Sequence, residues 1–407
     1  MKIAFIVDSF PKASETFILN QITGLIDRGH EIEIFAKRGL EGEQIHNSIK
    51  EYDLLANTNY TNTPQNKIHR FFNAGRLIAT ETIRQPHRVL ESLQFRKYGP
   101  DSRSLRLLHR SISFKDEGFD VLFCHYAPNG NLGALLKRTG TDANLVTMFH
   151  GYGVRRGLEK GEGMYAPAFE YSDFLLANSK YTKKNLIKLG ADPDSIYCHP
   201  IGISLDKFQF EPIDVEGMSD RVVCISTVGR LVEEKGYQYS LRAIADVMKR
   251  NPGLNIEYQI AGDGPMKEEL RYLVQDLDIE DSVNFLGQVE RSAVVELLEN
   301  TDLFVLSSVK EGLGKVLLEA QATGVPVVAT KVGGIPQAVN PGESAILVPP
   351  KNPTALSHMI EHLCENPERL PKMGRSGRKY VEQHFDLEDL NDELECLFNS
   401  LIQRDNG

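Results

Sequence analysis

Glu311 and Glu319 bracket two glycines, Gly312 and Gly314, and a short apolar run in EGLGKVLLEAQATGVPVVATKVGGIPQA; a second glycine pair, Gly333 and Gly334, follows one strand later. If GKVLLEAQATG is a helix beginning near Gly314, Glu311 lies in the loop before its N-terminus and Glu319 about two turns in, roughly 12 Å away at helical rise. Carboxylates so far apart do not act on one atom. That distance matches a nucleotide sugar folded over its phosphates. One carboxylate can accept hydrogen bonds from a hexose and the other from ribose hydroxyls, while the amides of Leu313, Gly314, Lys315 and Val316 meet the phosphates at the helix N-terminus. Glu319 could instead be a surface helix residue. Its neighbours Leu317, Leu318 and Ala320 favour a buried position, and a buried carboxylate needs a partner.

Cations for a diphosphate stand elsewhere in the same half. Gly229-Arg230 follows the apolar run VCISTV, and Lys235-Gly236 comes a few residues later; AGDGP follows EYQI, and KVGG follows VPVVAT. A bidentate arginine, a lysine point charge and glycine turns leading into helix N-termini together make a diphosphate site. Taken singly, Arg230 and Lys235 are two solvated loop cations, and only the glycine turns beside them favour the site.

These residues all fall just after strand-like runs. Short Val-, Ile- and Phe-rich segments (KIAFIV, EIEIFA, VLFCH, NLVTMF, FLLANS) alternate with helical patterns such as SETFILNQITGLIDRG, in which Ser14 is the expected N-cap, Phe17, Ile18, Ile22 and Leu25 the buried stripe and Gly29 the end. Periodicity lapses around 200–215, and the alternation restarts at RVVCISTVGRL. The 407 residues exceed one ordinary core and favour two domains. The reading is α/β, two doubly wound Rossmann-like domains facing across a cleft: residues 1–203, with a C-terminal helix 386–407 packing back on them, and residues 204–385. Such sheets bind ligands beyond the carboxyl ends of their strands.

Composition narrows the classes. No window approaches the roughly 18 apolar residues of a membrane span, and MKIAFIVDSF reaches Asp8 too soon for a secretory signal, so a cytoplasmic protein is expected. The five cysteines are scattered, with no C-x-x-C pair, and read as small core residues, not disulfide or zinc ligands. Lys and Arg outnumber Asp and Glu by 26 to 22 in residues 1–200 and are outnumbered 20 to 34 in the remainder. The basic excess concentrates in residues 64–115, with eleven Lys or Arg against three acids; Leu105, Leu108 and Ile112 beside Arg103, Arg106 and Arg110, with KIHRFFNAGRLI, read either as a helix on an anionic membrane or as a solvated basic face.

EGLGKVLLE resembles the E-x7-E signature of retaining, two-Rossmann-domain glycosyltransferases of family 4, the group 1 glycosyltransferases, whose fold is termed GT-B. The likeness runs in order through VGRLVEEKG, IAGDGPMKEEL, NFLGQV, LFVLSSVKEGLGKVLLEAQATGVPVVATKVGGIPQAV and ESAILVPP. It implies that Glu311 contacts the donor sugar, Glu319 the ribose, and Arg230 and Lys235, beside Gly229, the diphosphate, with Val289 near the base. In the first half, FPKASETFI and HYAPNG are similar to exopolysaccharide-type members, although Pro11, Lys12 and Ala13 stand where many relatives carry a glycine pair. His150, in FHG, resembles the family histidine near the donor sugar, and His125 follows the preceding strand; either could be a satisfied structural residue.

The resemblance implies transfer of a hexosyl unit, with retention by front-face substitution, from a UDP- or GDP-sugar to a glycan or lipid-linked acceptor held by the first domain. It implies neither nucleic acid nor metal; DPD at Asp192–Asp194 reads as a solvated turn. A dinucleotide oxidoreductase is disfavoured because DSFPKAS lacks G-x-G-x-x-G. A nucleotide-sugar epimerase on the same double fold is the rival reading.

Overall fold

Near-continuous apolar strands separated by helices give parallel sheets, because a crossover helix returns the chain in the same direction. The computed structural model describes residues 1–12, 15–39, 46–61, 63–115, 117–161, 163–215 and 222–405, and these divide into two units, 1–200 with 388–407, and 201–387. Ser14, the expected helix cap, lies outside the described residues.

The first unit carries a parallel sheet of β1 (Lys2–Ser9), β2 (Glu31–Arg38), β3 (Thr58–Tyr60), β4 (Val121–His125), β5 (Asn144–Phe149), β6 (Phe174–Ala177) and β7 (Ile196–Cys198), in the order β3-β2-β1-β4-β5-β6-β7. Both faces are covered. Ile3, Phe5 and Val7 of β1 enter one apolar cluster, while Ala4 and Ile6 enter another. The edge strand β3 has no apolar signature, since TNY borders polar loops and all three residues are only half-buried. Helix Thr16–Asp27 buries Ile18, Ile22 and Leu25; Phe17, expected in that stripe, is half-buried, with its ring turned to the histidines described below.

The C-terminal helix, Leu387–Asp405, brings Leu394, Phe398 and Leu401 into the β1 cluster of this unit. Its acidic side meets Arg28, which bonds Glu388 at 3.1 Å and Asp392 at 2.6 Å. Ile203 belongs instead to the second unit, donating its amide to Phe385 O at 2.9 Å.

The second sheet contains β8 (Val223–Val228), β9 (Ile256–Ala261), β10 (Val283–Gly287), β11 (Leu303–Leu306), β12 (Val327–Thr330) and β13 (Ala345–Val348), ordered β10-β9-β8-β11-β12-β13 and again parallel. Leu303 and Val305 of β11 face one cluster and Phe304 and Leu306 the other. The order turns back at β8 and β11, so the loops after these two strands part there and leave a crevice at their carboxyl ends. In the first unit the same reversal falls between β1 and β4.

Two expectations are corrected. Cys124 is buried, but Cys198, ending the edge strand β7, and Cys396, on the outer side of the last helix, are exposed. In the basic segment, which forms helices Lys67–Arg84, Pro86–Ser92, Phe95–Arg103 and Arg106–Ser113, the stripe of Leu105, Leu108 and Ile112 faces inward: Leu108 is fully buried against Ala74 and Val89, with the other two packed on that cluster. Arg110 is buried as well and donates to Asn129 Oδ1 at 2.8 Å.

Candidate active site

The chain reversal between β8 and β11 brings Lys235 to Glu311. Gly229 and Arg230 follow β8, and Lys235 ends a short 3-10 turn, Glu233–Lys235, before helix Tyr237–Arg250. Glu311 stands in the loop after β11, where its Oε2 accepts from Lys235 Nζ at 2.5 Å and lies 3.3 Å from Ser308 Oγ. Gly236 lets the two loops touch. Its φ is +66°, and a Cβ there would meet Ser307 O at 2.4 Å; Ser307 Oγ in turn donates to Gly236 O at 2.9 Å.

The second glycine pair has a matching role. A Cβ at Gly333 would lie 1.8 Å from Glu311 O, and one at Gly334 would lie 2.0 Å from Gly312 O. The loop after β12 thus packs directly under the backbone that presents Glu311, and only glycine permits that approach. Gly262, after β9, bears on Gly229 in the same way, with a Cβ 1.9 Å from Gly229 O. Gly229 is held from the other side by Tyr237 Oη at 2.8 Å. Arg230 is exposed at the rim.

Glu319 belongs to a separate group of charges. Helix Lys315–Thr323 opens at Gly314, whose φ is +89°; Leu313 is buried beneath the turn, and Val316 is half-buried. Glu319 is buried and meets Arg291 Nη2 at 3.1 Å and Lys315 Nζ at 3.4 Å. Burial lowers the Lys315 ammonium to about 8 against the opposing pull of Glu319. Arg291 opens the helix after β10, and Val289 stands half-buried just before it. The two glutamates therefore have different cationic partners. Arg291 went unread in the sequence because nothing local links it to a residue 28 positions on.

In the first unit the sheet ends in imidazoles. His125, the last residue of β4, and His150, the N-cap of the helix after β5, approach to 3.3 Å between Nδ1 and Nε2, rings stacked. Phe17 and Tyr126 lie against His150 with centroids 4.9 and 4.7 Å away. His125 has no exposed surface and reaches the strand ends only through its contact with His150. Burial pushes His150 down to about 3, and burial with the neighbouring His150 and His199 pushes His125 well below the ordinary imidazole range. Both rings are neutral at pH 7, and which nitrogen donates is set by their tautomers.

Other polar groups gather at these strand ends without having been singled out from sequence. Tyr126 holds φ at +72°, a conformation costly for a bulky residue, and donates its hydroxyl to Glu15 at 2.7 Å; Glu15 also pairs with Lys12. Asp8, the penultimate residue of β1, forms an ion pair with Lys37 of β2; burial raises its carboxyl, but the Lys37 and Arg110 charges outweigh it and hold the group below the usual range. The strand-end position of Asp8 was the available signal. Asp192, by contrast, caps its own turn by accepting from Asp194 N at 3.2 Å, and no cluster of three or more metal-ligating side chains occurs among the described residues.

Comparison with known proteins decides the family. Residues 213–380 match the family described as Glycosyl transferases group 1, and residues 14–207 match Glycosyltransferase Family 4. The colanic acid biosynthesis glycosyltransferase WcaL of Salmonella typhimurium is 30% identical over 98% of this chain and all of its own. The chain belongs to the group 1, family 4 glycosyltransferases. The Erwinia amylovora amylovoran biosynthesis glycosyltransferase AmsK is 29% identical, covering 95% of this glycosyltransferase and 96% of itself. The crystal structure of Anabaena Alr3699/HepE in complex with UDP superposes with a TM-score of 0.70 at 18% identity, over 98% of this chain and all of that one, a likeness of fold. The fold is thus the two-domain α/β fold of the GT-B glycosyltransferases. None of these matches favours an epimerase.

Proposed function

We propose that this glycosyltransferase moves a hexosyl unit, with retention of configuration, from a UDP- or GDP-sugar to a glycan or lipid-linked acceptor in exopolysaccharide assembly. The carrying observation is the Lys235–Glu311 pair held at the β8/β11 chain reversal by three close-packed glycines, Gly236, Gly333 and Gly334. Support comes from relatives named for colanic acid and amylovoran biosynthesis, and from a structural neighbour solved with UDP-glucose.

In this reading the donor's diphosphate lies over the N-terminus of helix Lys315–Thr323, with Lys235 and Arg230 as its cations. Lys235 turns from Glu311 to the phosphate when donor arrives, which frees the Glu311 carboxylate for sugar hydroxyls. Charge that develops on the departing diphosphate is met by the same cations and helix end, the largest electrostatic demand of the transfer. The diphosphate oxygen leaves on the face the acceptor hydroxyl approaches and takes up its proton, so no carboxylate nucleophile is required. His150, a neutral ring on the first unit, contributes a hydrogen bond to a sugar hydroxyl, with His125 fixing its tautomer. Glu319 holds the ribose, Val289 borders the base, and no metal is called for.

The test is product analysis with purified protein, a panel of UDP- and GDP-sugars and a lipid-linked acceptor. An early product of unchanged anomeric configuration by NMR, formed in the presence of EDTA, is expected; inversion refutes the mechanism, and activity that EDTA abolishes and Mg²⁺ restores refutes the metal-free reading. Lys235→Ala should weaken a nucleoside diphosphate more than a monophosphate in calorimetry. Equal losses would remove Lys235 from the diphosphate.

A further inference from the structure

Helix Lys67–Arg84 carries two apolar faces. The inner one, with Ala74 and Ile78, packs on the cluster of Val89 and Leu108. The outer one consists of Ile68, Phe71, Phe72 and Ile83, exposed at 64%, 68%, 72% and 87%, with Gly75 and Ala79 between them. At about 100° per residue these positions fall within an arc of roughly 120° centred on the outward side. A helix packed on one face of a water-soluble protein ordinarily turns charged side chains outward, and grouped exposed aromatics mark an interaction surface.

The charges around that arc identify the partner. Lys67 and Arg76 flank it on either side, and Arg84 closes its end, all exposed. From residue 63 to 115 seven Lys or Arg side chains are exposed and no acidic one is: Glu91 is buried, and Glu81 and Asp101 are half-buried. Six of the thirteen large apolar side chains exposed among the described residues also lie in this segment, Leu90 and Phe95 being the other two. A polyanion such as nucleic acid would satisfy the cations but offers nothing to Ile68, Phe72 and Ile83. An acidic surface with an apolar interior satisfies both.

We propose that the outer face of helix Lys67–Arg84 docks on an anionic lipid bilayer, inserting Ile68, Phe71, Phe72 and Ile83 among the acyl chains while Lys67, Arg76 and Arg84 reach the headgroups. The long cationic side chains suit that geometry, since their stems cover apolar surface and their heads stay wet. The contact is reversible and salt-sensitive, because headgroup attraction falls off within a Debye length. It uses none of the residues assigned to sugar transfer, so it stands or falls separately from that assignment.

The test is sedimentation of the full chain with phosphatidylglycerol-containing vesicles or pure phosphatidylcholine vesicles, at low and high salt. Binding to the anionic vesicles only, reversed by salt, is expected. Phe71→Ser/Phe72→Ser and, separately, Lys67→Glu/Arg76→Glu/Arg84→Glu should each lower the partition coefficient about tenfold or more. Circular dichroism and melting would show that both variants fold, which the exposure of these side chains predicts. The chain contains no tryptophan. A Phe72→Trp variant therefore reports insertion on a dark background, as an emission shift to shorter wavelength with anionic vesicles. Equal binding to both vesicle types, no binding at low salt, or unchanged emission would overturn the proposal. So would a wild-type dimer that the Phe71→Ser/Phe72→Ser change makes monomeric while vesicles remain unbound, since the occupant would then be a second copy.

Discussion

The two units share a sheet order that reverses between one pair of adjacent strands; the second sets charged pairs at that place, while the first adds two uncharged imidazoles to its own charged pair there, Asp8 on Lys37. At the β8/β11 reversal the second unit sets an ammonium against a carboxylate, Lys235 on Glu311, with a second carboxylate, Glu319, between Arg291 and Lys315. Beyond β4 and β5 the first unit sets two uncharged imidazoles, buried and stacked. The difference teaches that strand order fixes where side chains converge, while their types decide whether the groups that meet there are charged or neutral.

Removing the Glu311 charge should have the largest effect and tests the charged side of the contrast directly. Glu311→Gln is expected to lower turnover by about 10²-fold to 10³-fold, as losing one preorganised transition-state contact does, while nucleotide affinity changes by less than about threefold. A comparable loss of nucleotide affinity would mean that Glu311 serves the phosphates or ribose.

Next comes the glycine support. Gly333→Ala places a Cβ on Glu311 O at a φ of +55°, whereas Gly342→Ala, at a φ of +85°, meets nothing within 4 Å. The second should cost only the left-handed strain, about 1–2 kcal/mol. The first should cost more in thermal melting and also depress turnover by moving Glu311. Equal stability losses with turnover intact would show that the loop after β12 does not position the carboxylate.

Glu319→Ala should weaken UDP or GDP and the matching donor alike, by about tenfold to a hundredfold, since one lost charged hydrogen-bond acceptor contributes about 1.5–3 kcal/mol. Loss confined to the sugar nucleotide would exchange the roles of the two glutamates.

The smallest effect probes the neutral side. His150, His125 and His199 have folded values below the ordinary 6.5, with His150 at about 3 and His199 at about 4, each depressed chiefly by burial. Because folding lowers these values, the stability they contribute is present above 6.5 and is lost as pH falls towards the folded values. Between pH 7.5 and 5 the unfolded chain takes up protons that the folded one refuses, a cost of about 2 kcal/mol per histidine. Thermal melts of the wild type should show that decline, and His199→Gln should flatten it by one histidine's share. A wild type equally stable at both pH values would mean that the rings are charged or solvated.

Much of this architecture was legible in the chain. Period, length and composition of KIAFIV, VLFCH, NLVTMF, VCISTV and LFVLSS announced buried parallel strands, because a strand covered on both faces must be apolar throughout. The short polar strand β3 gave no such signal. The stretch around Glu311 and Glu319 was legible for a related reason: a glycine needed for close backbone approach is visible as a residue type, even where its neighbour is not.

The sequence by itself determined the α/β alternation and the order of the glycine turns, both of which follow from local backbone geometry. Only the tertiary structure decided partners far apart in the chain. Lys235 meets Glu311 across two strands, Arg291 meets Glu319, and the Gly333–Gly334 pair lies beneath the Glu311 backbone. Tertiary packing also turned Leu108 and Arg110 inward while leaving Phe71 and Phe72 outward, in a segment whose composition alone treats them alike. Helical periodicity groups residues on a face, but which face meets the core depends on neighbouring helices that periodicity cannot see.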